Sequence, residues 1–80
     1  MNIQLLAFGI TKDILNTTAT SIKVPENIMV KDFKIFLKDI FPKMKNVSSF
    51  AIAVNESYAQ DNTILQENDV VAIIPPVSGG

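Results

Sequence analysis

The chain contains no cysteine, histidine, arginine or tryptophan, and it has only three glycines among its 80 residues. Without cysteine and histidine there is no disulfide framework, no thiolate nucleophile, no imidazole base and no zinc-finger site. The serines have no imidazole partner, which also excludes the Ser–His–Asp triad. A glycine-rich phosphate loop is absent as well. We therefore expect a chain that binds no metal or cofactor and is not an enzyme on its own.

The charges are nearly balanced, with seven lysines against eight acidic residues and a formal net charge of −1. Because phosphate binding needs clustered basic residues, this balance argues against nucleic acid and anionic membranes as partners. The longest apolar run, residues 70–77, is far shorter than the roughly 20 residues that cross a bilayer. The first residues also lack the basic flank and apolar stretch of a secretory signal. The expected location is the cytoplasm.

Hydrophobic periodicity predicts one domain with five strands and one main helix. Strands are expected at residues 3–8, 18–24, 50–54, 58–59 and 70–74, with a short helical turn around Ile14 and Leu15. Apolar residues recur at helical spacing in the middle of the chain: Val30, Phe33, Leu37, Ile40, Phe41 and Met44. Pro42 should end this helix, because proline removes a donor and disfavours the α conformation of the preceding residue.

The first and last predicted strands carry apolar residues on both faces, although one helix covers only one face of a sheet. The first strand has Leu6 and Phe8 on the second face, and the last strand has Val70, Ala72 and Ile74 on one side with Val71 and Ile73 on the other. A few exposed apolar residues are common on protein surfaces, but a cluster on two strands favours a docking partner beside the C-terminal end. The sequence thus predicts an α+β fold with a mixed sheet packed on one main helix.

The charged side chains are expected to be solvated. No pair of carboxylates has a spacing that suggests acid–base catalysis, and the lysines at positions 31, 34 and 38 fall along one flank of the helix. These patterns are typical of a polar surface.

The chain ends in Pro75-Pro76-Val77-Ser78-Gly79-Gly80. A terminal Gly-Gly by itself is also typical of a frayed terminus or a cleavage remnant. Here a stiff Pro-Pro segment precedes it and projects the chain away from the sheet. Two glycines then form a slender tail, which has no Cβ atoms to prevent entry into a narrow site. This context favours a carrier that presents its own terminal carboxylate to other proteins.

Three segments precede the final hexapeptide and lead into it: Ala53-Val54-Asn55-Glu56, Leu65 and residues 68–74. With these segments the chain resembles the small-subunit family of molybdopterin synthase, and the resemblance covers the whole length of the chain. It extends to Ala7-Phe8-Gly9 and to Lys12-Asp13, where the family usually has Arg-Glu. The resemblance implies a ubiquitin-like β-grasp domain at residues 1–76 and a flexible Gly-Gly tail at residues 77–80.

The same resemblance implies a function in molybdenum cofactor biosynthesis. An E1-like, ATP-dependent activating enzyme would adenylate the carboxylate of Gly80, and sulfur transfer would convert it to a thiocarboxylate. The tail would then enter the large synthase subunit and pass sulfur to cyclic pyranopterin monophosphate. Two small and two large subunits would form a heterotetramer. The chain would thus be the non-catalytic sulfur donor.

The resemblance also implies the site residues. Gly79 and Gly80 form the functional tail, and the candidate partner contacts are Phe8, Lys12, Tyr58, Ile74, Pro75, Pro76 and Val77. Lysine at position 12 lacks the planar fork by which arginine makes bidentate contacts. Two alternatives stay open: a related β-grasp carrier for thiamine sulfur transfer or protein conjugation, and a non-catalytic interaction module. The Pro-Pro-Val-Ser segment before Gly-Gly favours the molybdopterin synthase carrier over the related β-grasp carriers.

Overall fold

A computed structural model describes residues 1–47 and 49–76. This part of the chain contains the strands β1 (Asn2–Ala7), β2 (Ala19–Lys23), β3 (Ala51–Val54), β4 (Ser57–Tyr58) and β5 (Val70–Ile74), the helices α1 (Ile10–Leu15) and α2 (Val30–Ile40), and a 3₁₀ helix at Pro42–Asn46. The strands lie in the order β2-β1-β5-β3-β4. The neighbouring strands β1 and β5 are parallel, and the other neighbours are antiparallel. This is the mixed sheet of the expected α+β fold.

The main helix, α2, forms where the apolar residues recur at three- and four-residue steps. Its buried residues are Val30, Phe33 and Leu37, which belong to one core cluster with the inward residues of β1, β3 and β5. Asp32 lies in its first turn and Lys38 in its last. Each charge therefore stabilises the end of the helix dipole that has the opposite sign.

Pro42 ends α2, as predicted. The preceding residue, Phe41, leaves the helical region with φ −127° and ψ 84°, and Pro42 opens the 3₁₀ helix. Met44 continues the apolar stripe into the core. Ile40 does not, because the helix ends there and leaves its side chain exposed. The prediction that Ile40 belongs to the buried stripe was therefore wrong.

Strand alternation separates two faces of the sheet. Toward α2, β1 buries Ile3, Leu5 and Ala7, while β5 buries Val71 and Ile73. The opposite side, which we call the open face, has no element of the described chain packed over it as a second layer. None of the helices in residues 1–47 and 49–76 is long and apolar enough to cross a membrane.

Candidate functional site

The centre of the open face is a row of side chains that crosses the sheet. Leu6 of β1 pairs with Ala72 of β5, and Ala72 pairs with Ala53 of β3. Ala53 in turn pairs with Tyr58 of β4. Paired residues on one face of a sheet are direct neighbours. The register thus places two small alanines between two large side chains.

This arrangement leaves a concavity, the central hollow, with a volume of about 250 Å³. It is lined by Leu6, Phe8, Ala53, Glu56, Tyr58, Val70, Ala72 and Ile74. Phe8 is 49% exposed and Tyr58 is 75% exposed. Because both aromatic rings border a floor that includes the alanines, the surface offers apolar area together with a defined shape. Such a surface is typical of a protein-binding patch.

A second concavity, the tail-end hollow, adjoins the first. It has a volume of about 410 Å³ and is lined by Ser49, Phe50, Ala51, Tyr58, Ile74, Pro75 and Pro76. Tyr58 and Ile74 line both hollows. The open face therefore continues without interruption to Pro75 and Pro76, the last described residues before the C-terminal tail.

The structure brings most of the predicted contact residues together. Phe8, Tyr58 and Ile74 line the central hollow, and Pro75 and Pro76 extend the surface through the tail-end hollow. Together these five residues form one continuous apolar strip along the open face.

The remaining predicted site residues lie elsewhere. Lys12 is an exposed residue of α1 and lines neither hollow. The predicted partner contact Val77 and the predicted functional tail, Gly79 and Gly80, lie outside the described residues.

A polar network beside the central hollow, next to its lining residues Glu56 and Val70, was not predicted from the sequence. The Asn55 side-chain oxygen accepts a 2.9 Å hydrogen bond from the backbone N–H of Val70. The Asn55 amide donates to Asp69 at 3.0 Å, and the other carboxylate oxygen of Asp69 accepts from the backbone N–H of Gln66 at 2.8 Å. Asp69 is buried, so the prediction that every carboxylate is solvated was wrong for this residue. The network ties the β3–β4 turn to the start of β5.

The lining residues carry little chemistry of their own. Among the described residues, Glu56 is the one charged side chain that lines the central hollow, and no aspartate, glutamate or lysine lines the tail-end hollow. In the described part of the chain, no three carboxylates come close enough to hold a metal ion. Most of the side chains that line the two hollows are apolar, so the hollows are suited to docking.

Sequence comparison identifies relatives along the full length of the chain. The model of the ThiS family matches residues 5–80. The molybdopterin synthase sulfur carrier subunit of Drosophila erecta is 32% identical over 83 residues, and the alignment covers 100% of this chain and 92% of the relative.

Structure comparison identifies the same fold in solved proteins. The putative molybdopterin converting factor subunit 1 from Pyrococcus furiosus superposes with a TM-score of 0.85 at 24% identity, covering 96% of this chain and 99% of that one. A second match comes from the complex of subunits 1 and 2 of molybdopterin-converting factor from Helicobacter pylori 26695. It has a TM-score of 0.67 at 27% identity and covers 100% of both chains. These matches confirm the ubiquitin-like β-grasp fold.

Proposed function

This chain belongs to the ThiS family, and we propose that it is the sulfur carrier subunit of a molybdopterin synthase, as its relative from Drosophila erecta is named. The observation that carries the proposal is the continuity of the open face with the C-terminus. The apolar strip ends at Pro75 and Pro76, and only four residues separate Pro76 from the terminal carboxylate. A partner that binds this strip would have the tail at the edge of its contact surface.

The proposed partner on the open face is the large, catalytic subunit of molybdopterin synthase. Support comes from the Helicobacter pylori neighbour, whose structure is a complex of subunits 1 and 2. Exposed aromatic residues beside hollows are frequent energetic centres of interfaces, and Phe8 and Tyr58 fit this description. Two carrier chains and two large subunits would form the heterotetramer.

The reactive group in this proposal is the carboxylate of Gly80. An E1-like adenylating enzyme binds ATP, and a carboxylate oxygen attacks its α-phosphorus to release pyrophosphate. Hydrosulfide supplied by a sulfur donor then attacks the acyl carbon, and AMP leaves with that oxygen. The product is a terminal thiocarboxylate, whose sulfur is a better nucleophile than a carboxylate oxygen near neutral pH. This sulfur attacks a carbon of cyclic pyranopterin monophosphate and displaces an oxygen substituent from that carbon, which forms a thioester between Gly80 and the substrate. Water then hydrolyses the thioester, which leaves the sulfur on the substrate and regenerates the carboxylate of Gly80.

This chemistry assigns a limited role to the carrier. Its side chains bind and orient, while the acid–base groups come from the large subunit and the adenylating enzyme. ATP is a substrate of that enzyme, and the carrier itself holds no cofactor. The cytoplasmic location stays a prediction from the sequence.

The test is intact-mass spectrometry of the full chain after incubation with the cognate adenylating enzyme, ATP and a sulfur donor. We expect the mass gain for exchange of one oxygen by one sulfur, and fragmentation should place it on Gly80. A chain that lacks Gly80 is the matched control. It should keep its fold and its binding to the large subunit but accept no sulfur.

The outcomes separate the candidate functions. If the chain gains no sulfur under conditions that convert a known carrier, the proposal is wrong and a simple interaction module is favoured. If it gains sulfur but does not bind the large subunit, the chain is a related carrier, of the thiamine type or a modifier. If it becomes bonded to lysine side chains of other proteins, protein conjugation is favoured.

A further inference from the structure

Gly9 occupies a backbone conformation that an L-amino acid rarely adopts. Its dihedral angles are φ 56° and ψ −135°, close to those of the first central residue of a type II′ turn. The turn is closed by a 3.1 Å hydrogen bond from the backbone N–H of Thr11 to the carbonyl of Phe8. This turn connects the end of β1 to the start of α1.

The turn is held rigidly by a buried side chain. The Thr11 hydroxyl accepts a 3.0 Å hydrogen bond from the backbone N–H of Phe8 and donates to the Phe8 carbonyl. Thr11 is fully buried, so its hydroxyl satisfies both backbone groups away from water. Gly9 therefore has little freedom to move relative to the sheet.

The ring of Pro75 lies directly against Gly9. A Cβ atom built on Gly9 would be 3.0 Å from Cγ of Pro75, whereas carbon atoms pack at about 3.5–4.0 Å. The approach follows from the topology, since β1 and β5 are parallel neighbours whose last registered pair is Ala7 and Ile73. Two residues further along each strand, Gly9 and Pro75 meet where the chain leaves the sheet.

We propose that Gly9 is a positioning residue for sulfur transfer. By lacking a side chain, it lets the Pro75 ring rest against the rigid turn, and this contact sets the direction in which Pro75 and Pro76 leave the sheet. Proline has a fixed φ angle and Pro-Pro is stiff. A displacement of Pro75 is therefore passed on to the residues that follow. The inference rests on the proposed function.

The test is a double-mutant cycle with Gly9→Ala and Pro75→Ala, because alanine at position 75 lacks the ring atom that the new methyl group would meet. Each chain is converted to the thiocarboxylate and mixed with the large subunit and cyclic pyranopterin monophosphate. The measured quantities are the dissociation constant for the large subunit and the single-turnover rate of sulfur transfer at saturation. The thermal unfolding midpoint is recorded for each chain.

We expect Gly9→Ala to lower the saturated transfer rate severalfold, because the Pro75 ring must shift by a few tenths of an ångström, which is less than the misplacement of about 1 Å that can cost about a hundredfold. The dissociation constant should rise by a smaller factor than the rate falls, because Gly9 itself lines neither hollow and Pro75 is one of several residues in the apolar strip. In the Pro75→Ala background the same substitution should have no further effect on the rate. It should still lower the unfolding midpoint, because the strained φ angle persists.

A stereochemical control separates the methyl group from the strain. A synthetic chain with D-alanine at position 9 carries its methyl on the other side of Cα, and the mirror image of the Gly9 conformation lies in the polyproline II region. This chain should transfer sulfur faster than the Gly9→Ala chain, because its methyl group points away from the Pro75 ring.

The inference is overturned if Gly9→Ala leaves the saturated rate unchanged, or lowers it equally with proline and with alanine at position 75. It is also overturned if the wild-type chain shows no nuclear Overhauser contact between Gly9 and the Pro75 ring. Failure of the wild-type chain itself to accept sulfur points instead to failure of the proposed function.

Discussion

The two faces of the sheet are made from the same strands and from similar residues, yet they differ in what covers them. In β5, Val71 and Ile73 are fully buried beneath α2, while their neighbour Val70 is 37% exposed on the open face. Alternation along a strand decides the face, and the chain's own elements decide whether that face is covered. Apolar character alone therefore does not distinguish core from interface in this protein.

The faces differ also in side-chain volume. On the covered side, Phe33 and Leu37 fill the space between helix and sheet. On the open side, the paired alanines Ala53 and Ala72 leave the central hollow unfilled. Protein interiors are packed without such gaps. A face that keeps its hollow in the free chain is thus already shaped for a ligand or partner.

The largest expected difference between the faces is in stability. Phe33→Ala should lower the free energy of unfolding by about 3–5 kcal/mol, because it creates a cavity in the core. Phe8→Ala should cost about 1 kcal/mol, because this ring is already half exposed and its loss leaves no enclosed cavity. Urea unfolding measures both values, with Phe33→Leu as an intermediate variant. Equal losses for Phe33→Ala and Phe8→Ala would contradict the distinction between core and open face.

Binding of the large subunit should depend on residues of the open face and not on exposed residues elsewhere. Ile74→Lys should weaken binding to the large subunit at least about a hundredfold, or about 2.7 kcal/mol, because it puts a charge into the apolar strip. Ile35→Lys is the matched control, since Ile35 is exposed on α2, away from the open face. Calorimetry should detect no loss of affinity for Ile35→Lys. An unchanged affinity for Ile74→Lys would show that the partner binds elsewhere.

The smallest expected difference in stability is between substitutions at two adjacent valines, Val70 and Val71, which lie on opposite faces of the sheet. Val71→Thr should lower the free energy of unfolding by about 1–3 kcal/mol, because it buries a hydroxyl in the core. Val70→Thr places the same hydroxyl on the open face, where water can solvate it, and should change stability by less than about 0.5 kcal/mol. Thermal unfolding of the two variants checks the difference. Similar shifts in both would mean that Val70 is more enclosed than its exposure indicates.

Much of the fold was predictable because it depends on local periodicity. The apolar spacing of α2 and the strand alternation of β1 and β5 depend only on residues close in the chain. Pro42 ended the helix as predicted, since its effect acts on the residue before it. The prediction failed at Ile40, because the helix ends there and the periodicity does not show which way the chain then turns.

The polar network was not predictable from the same patterns. Asn55 and Asp69 are 14 residues apart in the chain, and nothing in their local sequence indicates that they share a hydrogen bond. Asp69 followed by an apolar strand is typical of a solvated turn. Only the pairing of β3 with β5 brings the two side chains together, and the buried carboxylate then satisfies backbone donors that would otherwise lack partners.

The sequence by itself determined which residues are apolar and at what spacing they recur along the chain. It also determined that the chain has no acid–base or metal-binding side chains of the usual kinds beyond its carboxylates and lysines, and that a stiff Pro-Pro segment precedes two glycines at the terminus. Only the tertiary structure decided which apolar face stays uncovered, where the alanines leave a hollow, and that Gly9 meets Pro75. The physical reason is that these features depend on strand register, which joins residues distant in the chain.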